Sequence, residues 1–434
     1  MSGYHLELPT IQNWSCHSCS GCCRQHRIAI TAAEHERLAG QQWTEADGIA
    51  AGQPLFVRMG RWPFRRWWRL AHQPDGRCVF LDDQGLCRIH ARFGEPAKPL
   101  ACRIYPYAFH PKGQQVVVGL RYSCPSVVRN QGASLSSQRG ELKSLAAQVI
   151  PANVTQARPP RLHGGLRLDW PDTLRVVDAL LATLREASSP IAIRLLRALH
   201  WLELLEQAKL DSIRGPRLQE LLDLLRSASA AELPGTFDLD RLPEPTRVGG
   251  TLFRLHAGQY GRIDMDVAGR WLAGRRLKLL WTALRLARGG RELPGLSPEF
   301  PPLSFAALER RRDFPSFDFD EMLSRYFLVK LQGMSFCGRA YYDESLVDGF
   351  RSLALMFPVV CWLARWRAAV RGDGPVTIDD VVVALTTADH HHGYSPALGT
   401  FAAKGRLRTL HKLGDIPRFI ARLGPALATH QPDG

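Results

Sequence analysis

The stretch CHSCSGCC, Cys16 to Cys23, sets four thiols within eight positions. Side chains crowded this closely are not ordinary core cysteines. They are joined as disulfides, bound to metal, or held ready for redox chemistry. The pattern is C-x2-C-x2-C-C followed by Cys78, Cys87, Cys102 and Cys124, so eight of the ten cysteines fall in the first 124 residues. A C-x2-C unit turns two sulfurs to one side, where they can converge on one ion. The run C-x2-C-x2-C also resembles the one that holds a cubane iron–sulfur cluster, with the fourth ligand arriving from elsewhere. Any four of the eight thiolates would equally satisfy tetrahedral zinc. Adjacent Cys22 and Cys23 are expected to point apart and to serve different sites. The eight thiols thus allow two four-sulfur sites, or one cluster with spare thiols.

The redox compartment bears on this choice. The first fifteen residues, MSGYHLELPTIQNWS, lack the basic and apolar regions of a secretory signal. The longest uncharged apolar run, SLALMFPVVCWLA from Ser352 to Ala364, has thirteen residues and contains Pro358. Spanning a bilayer takes roughly 20, so this run is read as a buried helix and no transmembrane segment is expected. The expected location is the cytoplasm, where thiols stay reduced and a disulfide framework is disfavoured. Ligation then becomes the leading role for Cys16, Cys19, Cys22, Cys23, Cys78, Cys87, Cys102 and Cys124. Cys361 sits in apolar helical context and is read as a small core residue.

At 434 residues the chain is long enough for two or three domains. Its net charge of +15 is carried by 48 Arg and only 8 Lys. Such a surface can attract nucleic acid, anionic lipid or an acidic protein, and charge alone does not choose among them. Residues 1–130 alternate short apolar runs with turns: RIAIT at 27–31, PLFVRM at 54–59, CVFLDDQGLCRIH at 78–90 and QQVVVGLRYSC at 114–124. These predict short strands, with a hairpin turn at DDQG. Thr31 and Glu34 have the spacing of a helix capping box. Residues 131–168 read as a short helix and linker. From 169 to 434 apolar residues recur every three or four positions, in segments starting at Pro171, Pro190, Asp264, Asp343 and Thr377. The expected fold class is α+β: a small cysteine-rich metal-binding domain followed by a larger, mainly α-helical one.

CHSCSGCCR, CVFLDDQGLCRIH and KPLACRIYPY together resemble the bacterial CxxCxxCC family, the YkgJ-type zinc- or iron-chelating domain. Cys87-x-x-His90 and Cys102-Arg103-x-Tyr105-Pro106 also fit that pattern, and the resemblance covers roughly the first 125 residues. By length and architecture the chain further resembles flagellin lysine N-methylase. That second resemblance implies methyl transfer from S-adenosylmethionine to a protein substrate such as flagellin. Read as chemistry, Arg24, Arg88 and Arg103 are placed to neutralise a thiolate centre, and His90 is an alternative ligand.

Three further stretches invite a role. RMGRWPFRRWWR, Arg58 to Arg69, suits cation–π packing or protein docking, and also stacking on single-stranded nucleic acid. TADHHHGYSP offers Asp389, His390 and His391 as candidate catalytic residues, an acid–base pair at a helix end. His390, His391 and His392 diverge by about 100° each and cannot all face one ion from a regular helix. GMSFCGRAYYDES, Gly333 to Ser345, reads as a possible pocket wall. There is no phosphate loop, no Rossmann glycine turn, no HExxH helix and no GxSxG elbow. The leading expectation is therefore a metal- or cluster-binding protein. The alternatives are a protein lysine N-methylase and a structural zinc module with a basic nucleic-acid-binding surface.

Overall fold

The structure is a computed structural model that describes residues 5–59, 67–151, 153, 157–210, 212–262, 273–310, 313–372 and 374–425. The middle of the arginine–tryptophan stretch (60–66) and the first part of the segment expected to be helical from Asp264 lie outside the described residues. So do positions 154–156 of the expected linker.

The first part of the chain runs β1 (His5–Glu7), α1 (Gly21–Gln25), β2 (Ala29–Ile30), α2 (Ala32–Ala39), β3 (Phe56–Met59) and β4 (Trp67–Leu70). It continues with α3 (Arg88–Phe93), α4 (Leu100–Ile104), β5 (Tyr107–Lys112), β6 (Gln115–Leu120) and α5 (Pro125–Val128). The capping box at α2 is present: Glu34 N–H donates to Thr31 Oγ1 at 3.2 Å, and Thr31 N–H donates to Glu34 Oε2 at 2.8 Å. Two three-stranded sheets form. One has the order β2-β4-β3 and is antiparallel. The other has the order β1-β6-β5, with a β5–β6 hairpin and β1 parallel to β6.

Residues 78–90 depart from the strand expectation. Only single bridges form there, His72 to Cys78 and Leu81 to Cys87. Asp82 Oδ1 accepts from the N–H groups of Gln84 (3.0 Å) and Leu86 (2.7 Å), so a side chain takes donors that a ladder would use. The expected turn at DDQG is therefore there, but it closes a tight loop that leads straight into α3.

The remainder is mostly helical: α6 (Arg139–Val149), α7 (Trp170–Leu184), α8 (Ile191–Gln207), α9 (Pro216–Glu232), α10 (Arg247–Tyr260) and α11 (Ala273–Arg288). Then come α12 (Phe305–Glu309), α13 (Ser316–Gln332), α14 (Leu346–Arg371), α15 (Ile378–His391), α16 (Phe401–Lys412) and α17 (Asp415–Leu423). Two small hairpins interrupt them, β7 (Arg161–His163) with β8 (Leu166–Arg167), and β9 (Glu292–Leu293) with β10 (Leu303–Ser304). The chain is thus α+β, with helices dominating after the cysteine-rich part. Helix α14 is long and apolar enough to cross a membrane, yet 94% of its most apolar window is buried inside the protein. A helix that is apolar on all sides needs neighbours all round, and α14 has them in α8, α15 and α17.

Two hydrophobic cores result. The smaller holds Ile30, Leu38, Leu70, Val79, Phe80 and Ile89, with Cys78 inside it and Cys23 and Cys87 packed against it. The larger runs from Leu6 to Ala421 and unites the β1-β6-β5 sheet with the helices. At the join, a Cβ on Gly333 would come within 3.0 Å of Gly119 Cα, so two glycines let the end of α13 lie directly on β6. Nearby, Arg129 Nη2 donates to Asp379 Oδ1 at 2.7 Å, tying α5 to the start of α15.

At that same helix start Asp380 closes a second capping box with Thr377, and Arg371 Nη2 donates to its Oδ2 at 2.5 Å. Burial alone would raise the Asp380 pKa. The bonds from Arg371 and Thr377 outweigh it and hold the carboxyl below its ordinary value. A depressed carboxyl stabilises the fold above its unfolded pKa, about 3.9, and that contribution is lost as pH falls through the folded value. Asp380→Asn is expected to cost about 1 kcal/mol at pH 7. The unfolding curves of variant and wild type, followed by circular dichroism from pH 7 to pH 2, should converge in acid.

Candidate metal centre

The thiols that sequence separates by up to 80 positions are brought onto one side of the smaller core. Cys22 and Cys23 do not point apart as their adjacency led us to expect: both lie on the one-turn helix α1, and their sulfurs meet at 3.9 Å. Cys23 C=O accepts from Cys78 N–H at 2.8 Å, which fixes the 78–87 loop against α1. Cys87 is the residue that starts α3, and Cys102 lies within α4. The electrostatics record this grouping. Burial pushes the Cys102 thiol up, and Cys78, Cys87 and Cys22 push it further. Cys78 is raised to about 12, by burial first and then by Cys87 and Cys22. Cys22 is raised by its bond to Cys23 and by burial.

A second group lies at α5. Cys124 precedes that helix, where burial raises its thiol while the N–H groups of Val127 and Ser126 draw it down; Cys19 raises it again. Cys19 Sγ would lie 3.6 Å from a Cβ on Gly21, which faces Pro125 on its other side. Cys16 and Cys19 are exposed, and all ten cysteines are free thiols. Cys337 and Cys361 are buried in the larger core, which also holds Cys124.

The cationic partner is not one that the motif suggests. Arg103 donates to Glu95 Oε1 at 2.9 Å and to Gln148 Oε1 at 3.0 Å. Arg88 donates to Asp47 C=O at 2.9 Å and fills the space over Gly48. Arg24 reaches only Ser20, at 3.5 Å. The positive charge that lowers the Cys22 and Cys102 thiols is Lys98, two residues before α4. Sequence reasoning missed it because a lone lysine beside Pro99 carries no motif.

Among the described residues, no three Cys, His, Asp or Glu side chains close around one point as metal ligands. The thiols are grouped, not closed. Their chemistry nonetheless fits a thiophilic ion: several sulfurs, one cation to offset their charge, and little carboxylate. An unpartnered imidazole nitrogen, His26 Nε2, is buried three residues after Cys23.

Grouped thiols of this kind are the donor set of cysteine-rich metal-chelating modules. Residues 15–125 match the family model CxxCxxCC, described as a "Putative zinc- or iron-chelating domain". The match supports that family for this segment. No curated protein and no solved structure matches the chain.

Behind the thiols, the cysteine-rich part meets α15 along a buried polar seam. The His26 ring lies 4.8 Å from Tyr105 and 4.7 Å from His390. Burial, followed by the charge of Arg121, pushes His26 down to about 2; burial and His391 push His390 to about 3. Both rings are therefore neutral near pH 7. Tyr105, next to a cis peptide with Pro106, pairs its hydroxyl with Ser123 Oγ at 3.1 Å. Arg121 stacks on Tyr394, 3.7 Å from the ring centre.

Asp389 is fully buried, and its partners are not its histidine neighbours. Lys330 Nζ stands 2.6 Å from Asp389 Oδ1, and Ser123 N–H donates to Oδ2 at 3.1 Å. Burial lowers the Lys330 pKa while Asp389 pulls it back. Tyr122 and Tyr326 stand around the ammonium, at 6.0 and 5.6 Å. Of the three candidate catalytic residues, then, Asp389 is held by Lys330, His390 lies against His26, and buried His391 packs on His390 at 4.9 Å.

Removing Lys330 would leave an uncompensated buried carboxylate. Lys330→Met is expected to destabilise the protein by about 3–5 kcal/mol in urea unfolding, and Lys330→Met with Asp389→Leu should recover most of that loss. A second expectation concerns the thiols. In metal-free native protein at pH 7.5, iodoacetamide should label Cys16 and Cys19 at least roughly tenfold faster than Cys78, read by peptide mass spectrometry.

Proposed function

We propose that residues 15–125 form a thiolate centre for zinc or iron in a cytoplasmic protein. Cys22, Cys78, Cys87 and Cys102 would hold the ion, with Cys23 beside Cys22, while Cys19 and Cys124 would form a second pair, with Cys16 close to Cys19 in sequence. The helical region would supply the partner surface. One observation carries the reading: Cys22 of α1, Cys78 of the 78–87 loop and Cys87 at the start of α3 all lie near enough to Cys102 of α4 to raise its thiol.

Binding requires these thiols to turn inward and lose their protons. At Cys78 and Cys102 burial holds the proton on, and at Cys22 the bond to Cys23 does, so uptake of a divalent ion would release protons and affinity would fall as pH falls. Bound as a single ion, zinc would lock α1, α3 and α4 together as a structural clasp. An iron–sulfur cluster in the same thiols would add electron transfer, with Lys98 and the seam histidines setting its surroundings.

Metal and acid-labile sulfide content, with an absorption spectrum, test the reading on protein purified without oxygen. Near-stoichiometric zinc or iron is expected in the wild type and in Cys361→Ser, with at least half lost in Cys102→Ser. Brown protein with sulfide would identify a cluster, and colourless protein with zinc a thiolate clasp. Metal-free protein after reconstitution, or full retention in Cys102→Ser, would refute the proposal.

A further inference from the structure

A cavity of about 660 Å³ lies beside β5, with Ile104 at the end of α4 in its lining, and the cysteine centre leaves it unexplained. Its size lies within the range of roughly 300–1,000 Å³ typical of small-molecule sites. Its walls come from parts of the chain far apart in sequence. Tyr107 and Phe109 of β5 form one side, Trp170 at the start of α7 another, and Met334 the floor. Trp170 is held in place by its Nε1–H, which donates to Ala157 C=O at 2.8 Å. The loop after α13 closes the cavity with Cys337, Gly338 and Ala340. That loop belongs to the Gly333–Ser345 stretch that sequence reading marked as a possible pocket wall.

The polar groups facing this space share one character. Arg158 and Arg339 both line it, both are exposed, and neither has a carboxylate partner among the described residues. Among the described residues, no Asp or Glu lines the cavity. His110 also faces it and has no hydrogen-bond partner among the described residues. Burial, with Lys330 behind it, pushes His110 down to about 4, so near pH 7 its ring is neutral and can both donate and accept. Aromatic walls with two free guanidinium groups at the mouth complement a flat apolar body that carries an anionic group.

We propose that this cavity is a binding site for a small aromatic anion, with its ring between Tyr107, Phe109 and Trp170 and its acid group on Arg158 and Arg339. The site does not depend on the metal reading: none of its lining residues is a candidate ligand of the cysteine centre. It adds a small-molecule function to a chain whose motif speaks only of metal.

The test is a fluorescence titration of the full-length protein with 8-anilinonaphthalene-1-sulfonate, alongside its uncharged analogue N-phenyl-1-naphthylamine. One saturable site is expected for the sulfonate. Arg158→Glu and Arg339→Glu, both exposed and so safe for folding, should each weaken it at least about fivefold and leave the uncharged probe unchanged. Ala340→Trp, which fills the cavity, should abolish binding of both. Arg241→Glu, whose side chain is 79% exposed at a different place on the surface, should change nothing. Circular dichroism and the unfolding midpoint confirm that each variant is folded. Non-saturable binding, or saturable binding unaffected by every cavity variant, would overturn the site. Equal loss of both probes in the arginine variants, or no loss of either, would overturn the anion preference.

Discussion

The carboxylate of Asp389 joins three parts of the chain at one buried point. It belongs to α15, pairs with Lys330 of α13, and accepts the N–H of Ser123 just after β6. A charge with no access to water must find its partners inside the protein, so these three segments are constrained to meet. Their meeting presses the cysteine-rich part against the helices. The register of that contact places His390 against His26, Arg121 against Tyr394, and the two glycines 119 and 333 back to back. The cost of desolvating the pair is carried by the same packing that makes the interface specific.

The thiols lie on the cysteine-rich side of this joint. They are held by short elements that have little stability of their own: one turn of α1, one tight loop, and the starts of α3 and α5. Helices this short do not form alone in water. They persist here because Cys78, Phe80 and Leu81 anchor the loop in the smaller core.

Strand β5 links the two candidate sites. It starts three residues after α4, which carries Cys102, and its residues then face the cavity that Trp170 and the 333–340 loop enclose. Lys330 bears on both settings: it pairs with Asp389 and adds to the burial that lowers the pKa of His110. A change at either site therefore has a short, packed route to the other through residues 102–112.

What the sequence determined by itself is what local rules govern. The cysteine spacing carried the resemblance to a chelating-domain family that the match over residues 15–125 supports, Thr31 with Glu34 and Thr377 with Asp380 announced helix starts, and three- and four-residue periodicity announced α7, α8, α14 and α15, because capping and periodicity act over a few residues. The strand pattern at 78–90 misled, since the Asp82 side chain satisfies donors locally in a way that alternation does not reveal. Only the tertiary structure decided the partners across the chain. It gave Arg103 to Glu95 and left Lys98 to the thiols, gave Asp389 to Lys330 and not to a histidine, and placed β1, β5 and β6 in the helical core. A buried charge takes whichever partner packing brings within reach, and that is set by contacts between residues tens to hundreds of positions apart.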